Sequence, residues 1–303
     1  MTSRLPTARS ARLTTGTAEA LRKGLAGLAA AMLMLPMITS CSDSHVQAAR
    51  PAKASPRGTG APTFRNPPTA LQTGLPQVVF HGSRRSRLVA LTFDSNLTSY
   101  MERELDRGVV RSFDNRALID ELIAGHVPAT FFLSGLWMQR YQAEVHRLAG
   151  VPWFELGSHS YAHVGFAPHC FHLGLLRPSS MAGDIQRSEQ VLHRLDPRAT
   201  RLFRFPGGCY DRDALRAASE EQVQVIQYDV ASGDAFGSSL DAIVRHTVEA
   251  ARNGSIVVLH VTGGNTAPLT AEVLPRVVVG LRSRGFRFVT VSELLRAQAR
   301  AGG

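Results

Sequence analysis

The chain has 303 residues, an apolar share of 44% and a formal net charge of +10. That length suits one barrel-sized domain or two small ones, and the apolar share is ordinary for a protein with a buried core. The charge argues against nucleic-acid binding. Residues 1–40 carry +4 and residues 41–86 carry +5, which leaves +1 for residues 87–303, whereas a nucleic-acid binder carries its basic surface on the fold itself.

Taken in order, residues 1–40 read as an export signal. Arg22-Lys23 precede an apolar run from Leu25 to Ile38, too short and too interrupted by Pro36 for a membrane span. The run ends in Thr39-Ser40-Cys41, which resembles the bacterial lipobox. That resemblance implies a lipid on Cys41 and a protein anchored to a membrane of the bacterial cell envelope. An ordinary secretory signal cut near Ala48 is the other reading. Residues 41–76 are rich in Ala, Pro, Ser, Thr and Gly without an apolar period, so a flexible tether is expected there. Residues 77–303 are expected to form one folded domain. Its two cysteines, Cys170 and Cys209, are read as a disulfide of an oxidising compartment or as two separate buried thiols; spacing does not decide.

From residue 77 short apolar runs alternate with helical patterns. Strands are expected at 88–94, 129–134, 154–158, 202–206, 223–230, 255–261 and 286–291. Helices are expected from a Ser112 cap to Gly125, then at 137–148, 182–195, 211–220, 240–252 and 270–284. Alternation of this kind, with continuously apolar strands, indicates an α/β fold with a parallel sheet. About seven strands in one domain suit a barrel.

Polar residues gather at the C-terminal ends of these strands, the edge that carries the site in parallel α/β proteins. Asp94 ends the first strand, and His159 and His163 follow the third. Arg204 and His260 lie at the ends of later strands, and Asp234 just after another. Two His four apart share a face if the segment turns helically, and such pairs bind zinc-type metals. Buried carboxylates and arginines are rare unless paired, so these six residues, three of that kind and three His, are hard to explain by packing.

Five segments in this order resemble the polysaccharide deacetylases, the NodB-like domain of carbohydrate esterase family 4. They are Thr92-Phe93-Asp94, His159-Ser160-Tyr161-Ala162-His163, Arg204-Phe205-Pro206, Asp229 through Asp234, and Val258-Leu259-His260. The resemblance spans roughly residues 87–295 and implies a distorted (β/α) barrel of about seven parallel strands. It also implies hydrolysis of N-acetyl groups on an envelope glycan, peptidoglycan or an exopolysaccharide. A divalent metal, zinc foremost, held by His159 and His163 would activate water and polarise the carbonyl. Asp94 would be the general base and Arg204 would orient it. The backbone N–H of Gly207 or Gly208 would face the oxyanion. His260 would protonate the departing amine, with Asp234 fixing its tautomer.

The chain departs from the family pattern at three places. Ser95 stands where most members have a second Asp, the third metal ligand, so Ser95 or Asn96, water, or a distant carboxylate would take that place, or the metal is lost. Gly207 stands where an aromatic is usual, and Ala235-Phe236 where Trp is frequent. A non-catalytic glycan-binding lipoprotein and a hydrolase of another acyl amide or ester are the alternatives. Trp137 and Trp153 are read as core, and the His169-Cys170-Phe171-His172 cluster as a loop in preference to a second metal site.

Overall fold

The structure, a computed structural model, describes residues 75–302 apart from Ser238. The expected signal segment, Cys41, and all but the last two residues of the expected tether lie outside the described residues. Among the described residues no helix is long and apolar enough to cross a membrane.

Among the described residues eight strands form one sheet: β1 (Leu88–Ser95), β2 (Ala129–Leu133), β3 (Phe154–Ser158), β4 (Leu202–Phe203), β5 (Gln224–Val225), β6 (Val230–Ala231), β7 (Ser255–His260) and β8 (Arg287–Phe288). The order is β5-β4-β3-β2-β1-β7-β6, with β8 beside β1, and every ladder is parallel. This is the curled sheet of a distorted (β/α) barrel, as the alternation implied. The helices are α1 (Ser99–Asp106), α2 (Arg116–Ala124), α3 (Gly135–Arg140), α4 (Gln142–Ala149), α5 (Pro178–Leu195), α6 (Arg212–Glu220), α7 (Leu240–Ala250), α8 (Thr270–Ser283) and α9 (Val291–Gly302).

Every residue of β1 and β2 is buried, because helices cover one face and the barrel interior the other. Phe93, Phe131, Leu118, Leu122 and Val277 share the outer core, where β1 and β2 meet α2 and α8. Inside, Leu88, Ala90, Phe132, Ile226 and Ile256 pack with Val291 and Leu294 of α9. The start of α9 is bonded to the strands' early residues: Val291 N–H donates to Thr130 Oγ1 and Ser292 N–H to Glu155 Oε2. With α9 at that end, the opposite end, where Asp94 and His260 lie, remains for the site.

Several boundaries differ from expectation. The expected strand 223–230 is two, β5 and β6, at opposite edges of the sheet. Between them Asp229 turns the chain, accepting from Ile256 N–H, Ser255 Oγ and Arg84 Nη2. The helix expected at 137–148 breaks at Tyr141 into α3 and α4; the Tyr141 hydroxyl accepts from Phe113 N–H. Asn115, not Ser112, caps α2, its Oδ1 accepting from Leu118 N–H. The strand expected at 286–291 stops at Phe288, because Thr290 and Glu293 form a reciprocal capping box that starts α9.

Candidate active site

β1 and β7 are neighbours in parallel register, and Asp94 is paired with His260. The register alone sets the two residues side by side at the C-terminal edge. A cavity of about 150 Å³ opens there, lined by Asp94, Asn96, His159, His163, Asp234 and His260 among others. Arg204, just past β4, lies behind it and is fully buried.

Asp94 and Arg204 form one charged unit. Arg204 Nη1 donates to Asp94 Oδ1 at 2.7 Å and to Thr92 Oγ1 at 2.8 Å. Its other nitrogens reach Ile226 O (3.4 Å) and Gln227 O (3.2 Å), and its guanidinium lies 4.1 Å from the Phe132 ring centroid. The guanidinium therefore has partners on every side, the condition for burying such a charge. Asp94 Oδ2 is left facing His159 Nε2 at 3.6 Å.

His260 and Asp234 form the other unit. Asp234 follows β6 in a short 3₁₀ turn, Asp234–Phe236. Its Oδ1 accepts from His260 Nδ1 (2.8 Å) and Ser232 Oγ (2.9 Å), and its Oδ2 from His260 N–H (2.8 Å) and Thr270 Oγ1 (2.7 Å). Burial opposes charge on His260, but the Asp234 carboxylate, with Asp94 behind it, outweighs burial and raises the imidazole pKa above its ordinary value. Burial likewise opposes charge on Asp234; His260 and the hydrogen bonds prevail and lower its pKa.

His159 and His163 meet, but not through a helical turn. Residues 159–163 are irregular, with Ser160 and His163 at φ 64° and 53°. Ser188 Oγ on α5 holds Ser160 O, and Ser160 Oγ accepts from His163 N–H. The result sets the two rings 5.0 Å apart. Burial lowers the pKa of His159, and burial with the neighbouring His159 and His260 lowers that of His163 further, so both stay neutral.

Residues 81–226 match the sequence profile of the family described as polysaccharide deacetylase. The chain carries a polysaccharide deacetylase domain. It is 27% identical over 215 residues to a peptidoglycan-N-acetylglucosamine deacetylase of Bacillus cereus, covering 71% of this chain and 70% of that protein. A second Bacillus cereus protein of the same name is 27% identical, over 72% of this chain and 93% of its own length. A solved peptidoglycan N-acetylglucosamine deacetylase superposes with a TM-score of 0.61 at 26% identity, covering 72% of this chain and 92% of that one. A carbohydrate esterase family 4 pseudoenzyme from Bacillus anthracis shares the fold at a TM-score of 0.58 and 20% identity, over 72% and 69% of the two chains.

The deacetylase domain brings together Asp94, His159, His163, Arg204, Asp234 and His260, the six residues the sequence singled out. It separates Ser95 from Asn96. Ser95 is fully buried, and its Oγ accepts from Ser134 N–H between β1 and β2. Asn96 lines the cavity, and its buried Oδ1 has no hydrogen-bond partner. Of the two glycines, Gly208 N–H already donates to Phe205 O at 2.9 Å. The oxyanion expectation therefore narrows to Gly207.

Among the described residues no group of three or more His, Cys, Asp or Glu is placed to hold a metal; what the cavity offers a divalent cation is two imidazoles and an amide oxygen, from His159, His163 and Asn96. His159 Nδ1 donates to Arg204 O, which leaves its Nε2 lone pair on the cavity side. His163 Nδ1 and Asn96 Oδ1 are buried there without a hydrogen-bond partner. Buried polar atoms in that state are costly unless a cation or proton meets them.

Other expectations are settled nearby. Cys170 and Cys209 form a disulfide. Trp137 is fully buried, its Nε1–H donating to Phe113 O, and Trp153 stacks on His126 away from the cavity. His169 and His172 are exposed on the loop that follows His163. Sequence reasoning missed Thr92, Ser232, Thr270 and Tyr228. Tyr228 lines the cavity beside Arg204, and burial, then Asp94, pushes its pKa up to about 12. A strand-end Thr carries no sequence mark of its partner, and Thr270 meets Asp234 across 36 residues.

Proposed function

We propose that this protein is a metal-dependent N-deacetylase of an N-acetylated envelope glycan, exported and held at the membrane by a lipid on Cys41. One observation carries the reading: Asp94 and His260 are register partners at one cavity, and each is backed by its own buried charge, Arg204 and Asp234. The Bacillus cereus relatives named for peptidoglycan N-acetylglucosamine point to the glycan class. The apolar segment before Cys41 and the oxidised Cys170–Cys209 pair support export.

The acetamide enters between the two units. Asp94 takes a proton from the attacking water; Arg204 occupies one of its oxygens, so Oδ2 faces the cavity. Gly207 N–H meets the oxyanion. His260, its Nδ1–H given to Asp234, passes the proton on Nε2 to the departing amine nitrogen, which cannot leave as an anion. A divalent cation on His159, His163 and Asn96 would supply Lewis acidity to the carbonyl.

The protein should release acetate from N-acetylglucosamine oligomers. A chelator should stop the release and added zinc restore it. Metal-replete protein that releases no acetate from any envelope glycan overturns the reading. Ser95, in place of a carboxylate ligand, favours one rival: a glycan-binding protein without catalysis. That rival predicts saturable glycan binding indifferent to His260→Ala.

The ligand assignment has its own test. Losing a partner outside the ligand shell typically costs about ten- to a hundredfold in metal affinity, so Asn96→Ala should cost at least about tenfold. Ser95→Ala should leave metal affinity near wild type. Competition with a chromophoric chelator measures both; equal effects of the two variants refute Asn96 as ligand.

A further inference from the structure

Between His163 and α5 the chain passes beside the cavity as an irregular loop. His169, Phe171 and His172 hold φ of 61°, 44° and 60°. Side chains other than glycine resist that region, so such a run persists only where its surroundings over-determine it, and strain of this kind concentrates at ligand clamps. The Cys170–Cys209 bond supplies the constraint, tying the loop to the segment that follows Gly207 and Gly208. A Cβ on Gly207 would fall 2.7 Å from Cys170 Sγ and 2.9 Å from Phe171 Cδ2. The loop thus occupies the space into which a side chain at 207 would project.

Phe171 and Leu173 line the cavity, as does Phe236 from the turn that carries Asp234. The Phe171 and Phe236 rings lie 5.6 Å apart and remain 40% and 58% exposed. The two rings thus form a paired apolar rim, part in water, beside a polar cavity, where a ligand's apolar face can cover them. The cavity, at about 150 Å³, is smaller than the roughly 300–1,000 Å³ pockets that enclose a drug-sized ligand. It takes the acetamide and leaves the sugar rings at its rim, where these two side chains stand.

We propose that Phe171 and Phe236 form a glycan clamp, stacking on the C–H face of a pyranose beside the scissile acetamide, with the Cys170–Cys209 disulfide holding Phe171 in place. The inference rests on the glycan reading of the site, not on turnover. The test is calorimetric titration of N-acetylglucosamine tetramer into Asp94→Asn protein, which does not consume the ligand. Adding Phe171→Ala or Phe236→Ala should each raise Kd by about tenfold, the scale of one specific aromatic contact. Phe171→Trp should retain affinity. Cys170→Ser with Cys209→Ser should weaken binding as Phe171→Ala does; should that pair fail to fold, Phe171→Ala against Phe171→Trp decides. Equal affinity in all variants, or no tetramer binding at all, overturns the clamp. Tetramer binding that depends on both rings, in a wild type that releases no acetate, overturns deacetylation and leaves the clamp standing.

Discussion

Arg204→Met should destabilise the domain by about 3–5 kcal/mol, the usual result of removing one partner from a buried ion pair. Arg204 is fully buried and its loss strands Asp94, which is also buried. The carbonyls of Ile226 and Gln227 lose a donor at the same time. Urea denaturation would show the loss as a fall in midpoint at constant slope. The stranded charge is the main cause, so adding Asp94→Asn to Arg204→Met should recover part of the stability. A double variant no more stable than Arg204→Met would place the cost in the carbonyl contacts instead. Acetate release should fall with either single variant, since Asp94 then lacks its anchor or its charge.

Asp234→Asn should cut kcat by about 10²–10⁴, the range for a positioned proton donor. In wild type the pKa of His260 is raised. The donor is therefore protonated below that raised value, and kcat/KM should fall as pH climbs through it. Asp234→Asn removes the carboxylate that raises the pKa, so the alkaline limb should move to lower pH. His260→Ala should lack that limb altogether. A limb that stays in place in Asp234→Asn would show that another group, Tyr228 among the candidates in the cavity, sets it. The same replacement sets an amide N–H against His260 N–H or Thr270 Oγ1, which both donate to Asp234 Oδ2, so a thermal melt should accompany the kinetics.

Much of the site was legible because its charges sit at strand ends. Asp94, Arg204 and His260 follow runs that are apolar on both faces, and a buried charge there needs a partner. β1, β2, β3 and β7 were legible for the same reason. What the sequence concealed was partnership over distance. The run 223–230 looks like one strand because Val223, Val225, Ile226 and Val230 are all buried. Only the contacts of Asp229 with Ser255, Ile256 and Arg84 turn it. α1 offered only a narrow apolar stripe to read, Met101 and Leu105, which are half-buried against the core. Thr290 and Glu293 did carry a readable signal, the spacing of a capping box, and it marks the start of α9 where a strand was expected. Adjacent Ser95 and Asn96 could not be ranked by type; their burial and partners rank them.

The split of β5 from β6 has a consequence for how the site can fail. Each strand is two residues long and they end opposite edges of the sheet, so residues 226–229 carry the chain from one edge to the other, beside the segment 79–82, which bonds to Val225, Gln227 and Gly254. Arg204 bonds to that crossing on one side, and Asp234 follows it on the other. Short ladders are the first to open in a local fluctuation. An excursion confined to this seam would detach the base's anchor and the acid's partner together, while β1, β2 and β3 stay paired. The deacetylase domain could thus become silent without unfolding, and regain both halves of its proton machinery in one closing step.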